Sequence, residues 1–166
     1  MSSHPSLHTV SAALGEALIE RNESVCTAES CTGGGVAAAM TDVPGSSRWF
    51  ERGFVTYSNA AKEEMLGVLP ETLRQHGAVS ESVVCEMAAG ALSHSHAQWS
   101  IAISGIAGPE GGTPDKPVGT VWLAWAGPNR FLSAEKQLFA GNREAVREQA
   151  SQYAIERLLA FLNNCI

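Results

Sequence analysis

The nine residues Thr27-Ala28-Glu29-Ser30-Cys31-Thr32-Gly33-Gly34-Gly35 constrain this chain more than any other stretch. An apolar, β-prone run, Val25 to Ala28, leads into them. A helix-compatible run, Val36-Ala37-Ala38-Ala39-Met40, follows. The pattern is a strand that stops, turns and starts a helix. Two potential nucleophiles, Ser30 and Cys31, fall at the turn. The amide N–H groups of a first helical turn have no intrahelical acceptors and carry the positive end of the helix dipole. A hydroxyl there lies beside ready-made anion or oxyanion donors. The glycines let a backbone or a ligand approach closely. At this level a plain serine cap followed by a glycine turn explains the same residues equally well.

The remaining chain alternates in the same way. Leu7, Val10, Leu14, Ala17 and Leu18 recur at helical spacing, which predicts an amphipathic helix from Leu7 to Arg21 ended by Asn22. Ser24 to Ala28 is the first strand, and the turn cluster Asp42 to Ser47 closes the helix after Gly35. Arg52 to Ser58 reads as a second strand, followed by a short helix from Asn59 to Leu66. Pro70 opens another helix ending at Gly77, and Ser80 caps a longer one with a broad apolar stripe. Trp99 to Ile103 is a third strand. The glycine-rich loop Ser104 to Gly112 comes next, then a central strand, Val118 to Ala126, apolar on both faces. Phe131 to Phe139 is more polar and is expected at an edge, antiparallel to its predecessor. Asn142 caps the last helix. This order predicts a single α/β domain over residues 1–166, a three-layer α/β/α sandwich. Its sheet is expected to be mixed, mainly parallel, with about five strands.

Composition narrows the function. A hydrophobic content of 45% with 17% charged residues suits a globular chain. The formal net charge is −6, and the 11 basic residues are dispersed, which argues against a nucleic-acid partner. Cys26, Cys31, Cys85 and Cys165 form no C-x-x-C pair, so reduced thiols and a cytoplasmic location are expected. Met1 to Glu20 lacks the apolar core and basic start of a secretory signal. No later run is long enough to span a membrane, so no membrane partner is expected. The tryptophans sit in or beside apolar segments and read as core. The five histidines make no ligand set, so no metal is predicted, and no cofactor.

Ser30 needs activation, because a free hydroxyl is a poor nucleophile. The run Gly53-Phe54-Val55-Thr56-Tyr57-Ser58-Asn59-Ala60-Ala61-Lys62 puts Tyr57 at a strand end and Lys62 on the first turn of a helix. A desolvated lysine beside a hydroxyl can act as general base and then as general acid. A surface lysine and a half-buried tyrosine is the bland alternative. The Ser104–Gly112 loop follows a strand, where ligand loops of open α/β sheets lie. It contains neither a dinucleotide fingerprint nor a P-loop. Arg143 and Arg147 follow the capped start of the last helix, where they could reach a phosphate, although exposed arginines there are more often ordinary.

Ala28 to Gly34, Gly53 to Asn59, Gly77-Ala78-Val79-Ser80, Ser104-Gly105-Ile106-Ala107-Gly108-Pro109 and Lys116 to Val121 together resemble the CinA C-terminal domain family. The match runs in the same order over nearly the whole chain. The resemblance implies an α/β/α sandwich and hydrolysis of the carboxamide of nicotinamide mononucleotide to nicotinate mononucleotide and ammonia, in pyridine-nucleotide salvage. It implies Ser30 as nucleophile, with Lys62 and Tyr57 as activating groups. Cys31, Thr32, Gly33 and Gly34 are expected to hold the oxyanion. Ser104, Gly105, Gly108 and Arg143 are expected to bind the nucleotide, the small-molecule partner. A homo-oligomer, a dimer first, is expected. Two other readings stay open: a non-catalytic nucleotide-binding module, and Cys31 as a thiol nucleophile with a pKa lowered by the helix N-terminus.

Overall fold

The computed structural model describes residues 4–164. Helix α1 spans Leu7–Arg21, capped by the Ser6 hydroxyl and ended by Asn22 in the left-handed conformation. Strand β1 (Val25–Glu29) leads to α2 (Gly35–Thr41), then a short 3₁₀ turn (Ser46–Arg48) and β2 (Phe50–Val55). Helices α3 (Asn59–Leu66), α4 (Pro70–His76) and α5 (Glu81–Ser93) precede β3 (Trp99–Gly105). Strands β4 (Thr120–Ala126) and β5 (Leu132–Leu138) and helix α6 (Arg143–Asn164) complete the chain.

The five strands form one mixed sheet in the order β2-β1-β3-β4-β5. β1 pairs in parallel with β2 and β3, while β3–β4 and β4–β5 are antiparallel. Only β4 therefore runs against the others, so the expected mixed, mainly parallel sheet is present. β5 is the expected antiparallel edge.

Alternation along the strands sorts side chains by size. Val25, Trp99, Ile101, Ile103, Val121, Leu123 and Trp125 face α1, α2 and α6 in one apolar layer. Cys26, Ala28, Ala102, Ala124 and Ala126 face α3, α4 and α5 in the other. The small residues let α5 lie close to the sheet, where the Ser100 hydroxyl donates to Ala88 O at 2.8 Å. On the first face the large residues meet the α6 stripe of Val146, Ala150, Ala154, Ile155, Leu158 and Leu162. Each large aliphatic side chain buried there contributes about 1.5–3 kcal/mol.

Several strand boundaries differ from the sequence expectation, among them the start of β2 at Phe50 rather than Arg52 and the end of β3 at Gly105 rather than Ile103, and two have a clear cause. β2 ends at Val55 rather than Ser58 because its partner β1 ends at Glu29, which is paired with Val55. Beyond that point the Ser58 hydroxyl accepts from Ala61 N–H and starts α3. β4 begins at Thr120, not Val118, because Gly119 takes a positive φ and donates to Ile106 O instead of continuing the strand. Trp49, Trp99 and Trp125 are buried as expected, whereas Trp122 is half-buried. Cys26, Cys31 and Cys85 are free thiols, and Cys165 lies outside the described residues.

Candidate active site

Ser30 is the first residue beyond β1. Its N–H donates to Ile103 O at 3.0 Å, so the sheet ladder holds the backbone beneath the hydroxyl. The chain then turns sharply: Gly33 N–H donates to Ser30 O and Gly35 N–H to Thr32 O. Gly33 and Gly34 have φ of 60° and 104°, backbone that glycine adopts without steric cost. This is the strand-turn-helix the sequence predicts, at the carboxyl ends of adjacent parallel strands, where open α/β sheets bind ligands.

Lys62, in α3, points into the protein and is 1% exposed. Its Nζ lies 3.0 Å from Ser30 Oγ and 2.8 Å from Thr56 O. Desolvation lowers its pKa below the ordinary lysine value, and the neighbouring Cys31 partly opposes that shift. Burial disfavours the ammonium, so more of the side chain is free amine than at a surface. Nζ donates to both oxygens; as a free amine it can keep the Thr56 bond and turn its lone pair to the serine hydroxyl. The surface-lysine alternative is thereby replaced by its opposite.

Tyr57 is placed differently from Lys62. It is 61% exposed, and its hydroxyl accepts from Arg143 Nη2 at 2.9 Å. No hydrogen bond joins it to Ser30 or Lys62. The other Arg143 terminal nitrogen donates to Gly108 O at 2.9 Å, tying α6 to the loop after β3. Ser30, Cys31, Tyr57, Lys62, Ser104, Gly105, Gly108 and Arg143 all line one cavity of about 280 Å³. The Ser104 hydroxyl is buried there without a hydrogen-bond partner, a polar group left for a ligand. A larger groove of about 870 Å³ adjoins it, sharing Ala107 and Arg143, but holds neither Ser30 nor Lys62. Thr32, Gly33 and Gly34 do not line the cavity; they shape the turn behind it.

Sequence reasoning missed Glu29. Its side chain is fully buried. Oε1 accepts from the Thr32 hydroxyl at 2.5 Å and Val36 N–H at 2.9 Å, and Oε2 accepts from Ala37 N–H at 3.1 Å. The first-turn amides expected to receive an anion thus already hold one. The available signal was an acid close ahead of a helix start that has no side-chain cap of its own. Arg147 is likewise committed, donating to the Cys31 and Thr32 carbonyls. The Cys31 thiol is pushed up to about 11, first by burial and then by the Glu29 charge. The lowered thiol pKa of the third sequence reading does not arise, because burial first and the Glu29 charge second both disfavour the thiolate. Among the described residues no group of three or more His, Cys, Asp or Glu side chains could hold a metal ion.

The CinA C-terminal domain model matches residues 7–162. Nicotinamide-nucleotide amidohydrolase PncC of Escherichia coli (strain K12) is 56% identical over 159 residues, covering 95% of this chain and 96% of that protein. The protein of the same name from Pseudomonas putida is 55% identical over 151 residues, covering 91% and 94%. A crystal structure of competence/damage inducible protein CihA from Agrobacterium tumefaciens superposes with a TM-score of 0.93 at 42% identity, covering 99% of this chain and 100% of that one. The chain belongs to the CinA C-terminal domain family.

Proposed function

We propose that this chain is a nicotinamide-nucleotide amidase, which hydrolyses the carboxamide of nicotinamide mononucleotide to nicotinate mononucleotide and ammonia in pyridine-nucleotide salvage. The observation that carries the chemistry is the 3.0 Å contact between Ser30 Oγ and the buried amine of Lys62. The substrate comes from the named activity of relatives more than half identical over nearly all of their length.

In this reading the neutral Lys62 amine takes the proton of Ser30 as Oγ attacks the carboxamide carbon. The tetrahedral oxyanion is held by the amide N–H of Cys31, the residue after the serine, which lines the cavity. Lys62 then returns the proton to the departing nitrogen, releasing ammonia and leaving an ester on Ser30. Water attacks that ester with Lys62 as base, the serine leaves protonated, and nicotinate mononucleotide forms. Tyr57 acts at the cavity mouth through Arg143 rather than in the proton path. Arg143, the Ser104 hydroxyl and the glycine loop face the nucleotide. The non-catalytic reading leaves a desolvated lysine aimed at a serine without a purpose, so the enzyme reading is preferred.

The test is ammonia release from nicotinamide mononucleotide by the purified protein, beside Ser30→Ala. Turnover by the wild type and its loss in the variant are expected. Absence of release at any substrate concentration overturns the assignment.

A further inference from the structure

The geometry points to Glu29 as a positioning residue. Its carboxylate locks the turn that presents Ser30 and leaves the Cys31 amide free for the reacting oxygen. This inference rests on the serine-amidase reading above.

Glu29 is an unusual way to cap a helix. Helices α1, α3 and α5 are capped from their own N-cap positions by Ser6, Ser58 and Ser80. Serine does that work cheaply. α2 follows Gly34, which has no side chain to offer. Its acceptor comes instead from a strand residue on the far side of the nucleophile. That residue is a fully buried carboxylate with no ion-pair partner among the described residues, a costly choice where a surface hydroxyl would suffice.

The bonds explain what the carboxylate adds. They reach the middle of the turn at Thr32 and its far end at Val36 and Ala37. Glu29 also sits in the sheet ladder, paired with Val55 on one side and Ile103 on the other. A rigid strand is therefore pinned to the helix start across the intervening loop, and Ser30 is the first residue of that loop. The amides of Ser30, Gly33 and Gly35 are bonded within the chain. Those of Cys31, Thr32 and Gly34 donate to no other residue among the described residues, and of these three only Cys31 lines the cavity. Because Glu29 fills the N-terminus of α2, the cavity-lining donor left for an oxyanion is the Cys31 amide, immediately after the nucleophile. An oxyanion hole needs donors held in place before the charge develops.

The experiment compares Glu29→Gln, Thr32→Val and the double variant with the wild type. Four quantities are read: the rate at which a small fluorophosphonate labels Ser30, kcat, KM for nicotinamide mononucleotide, and the thermal midpoint. Labelling needs the serine and its oxyanion donors but no nucleotide. Glutamine keeps the shape and one acceptor but faces Ala37 N–H with its own donor. Labelling and kcat are expected to fall about 10- to 100-fold, as for a misplaced reacting group, with KM within about threefold. Thr32→Val should act in the same direction, and the double variant should be no worse than the worse single. Glu29→Gln with wild-type labelling and kcat but a lowered thermal midpoint makes Glu29 a helix cap alone and overturns the proposal. If Glu29→Gln does not fold, Thr32→Val decides by the same readouts, since it keeps the carboxylate. A wild type that is never labelled at Ser30 removes the nucleophile and this inference with it. Labelling without nucleotide turnover removes only the substrate assignment, and the comparison of labelling rates still stands.

Discussion

Ser30 and Cys31 are neighbours with opposite electrostatic surroundings. The serine hydroxyl meets a lysine whose pKa burial lowers, while the thiol is pushed up to about 11. Ser30→Ala is expected to lose nearly all turnover while keeping fold and substrate binding. Cys31→Ala should keep substantial activity, because its expected part is a backbone N–H that alanine retains. Lys62→Ala should lose about 10²–10⁴-fold in kcat, and Lys62→Arg should not rescue it, since a guanidinium keeps its proton. An active Ser30→Ala beside a dead Cys31→Ala would move the nucleophile to sulfur. The lowered Lys62 pKa also fixes two pH dependences. The acid limb of kcat/KM should lie below the ordinary lysine range and vanish in Lys62→Ala. In stability, the unfolded chain binds more protons than the folded one between the lowered folded pKa and the unfolded value. Stability should therefore rise with pH across that window in the wild type, relative to Lys62→Met. Denaturant titrations at several pH values measure that slope, and a falling slope would mean that folding raises the Lys62 pKa.

At the scale of elements, the amine of Lys62 is where it is because α3 has a fixed seat. α3 ends against α5 at a point where only glycine fits: a Cβ on Gly90 would stand 1.9 Å from the Leu66 carbonyl oxygen. That atom is backbone, so it cannot swing aside as a side chain can. Gly90→Ala is expected to destabilise the protein by about 1–3 kcal/mol, as overpacking does. It should also lower kcat, because the displaced helix carries Lys62. Denaturant unfolding and steady-state kinetics on the same preparation check both. A destabilised variant with unchanged kcat would show that α3 relaxes without moving its first turn. The sheet face beneath α5 follows the same logic, since alanine and serine there give the close approach that the Ser100–Ala88 bond records.

At the scale of the whole molecule, Arg143 joins parts that are distant in the chain. It links the start of α6 to Tyr57 after β2 and to Gly108 after β3. The cavity is closed by these contacts at one side and by the Ser30 turn at the other. Arg143→Ala is expected to raise KM for the mononucleotide by about tenfold, the loss of one or two charge-assisted hydrogen bonds. Nicotinamide riboside should be a much poorer substrate of the wild type and should be less sensitive to this substitution. Equal kcat/KM for riboside and mononucleotide would remove phosphate recognition from the account. The mechanism proposed uses serine and lysine alone, so protein treated with EDTA should keep its rate. Loss of activity restored by Mg²⁺ or Zn²⁺ would replace that mechanism.

Much of this architecture is local in origin and was therefore legible in the residues. Glycines, caps and hydrophobic spacing act over a few positions, and they set nearly every helix and strand, including the Ser30 turn. Boundaries such as those at Val55 and Gly119 depend on where a partner strand stops or which carbonyl an amide finds, and no short window contains that. The same holds for the site. Ser30 stands out in its own motif, but Lys62 reads as an ordinary lysine at a helix start. It becomes a buried amine only because parallel pairing of β1 with β2 sets Glu29 beside Val55, so Thr56 and α3 follow next to Ser30. Tyr57 looked suited to activate the serine from its sequence position. Folding instead turns its hydroxyl to Arg143, 86 residues away. Glu29 carries no role in the sequence reading, since nothing local distinguishes a solvated carboxylate from one enclosed by Thr32, Val36 and Ala37. The sequence by itself determined the elements and the Ser30 turn, through short-range sterics and periodicity. Register, burial and the partners of each charged group were decided only when the layers closed, because those depend on contacts between residues far apart in the chain.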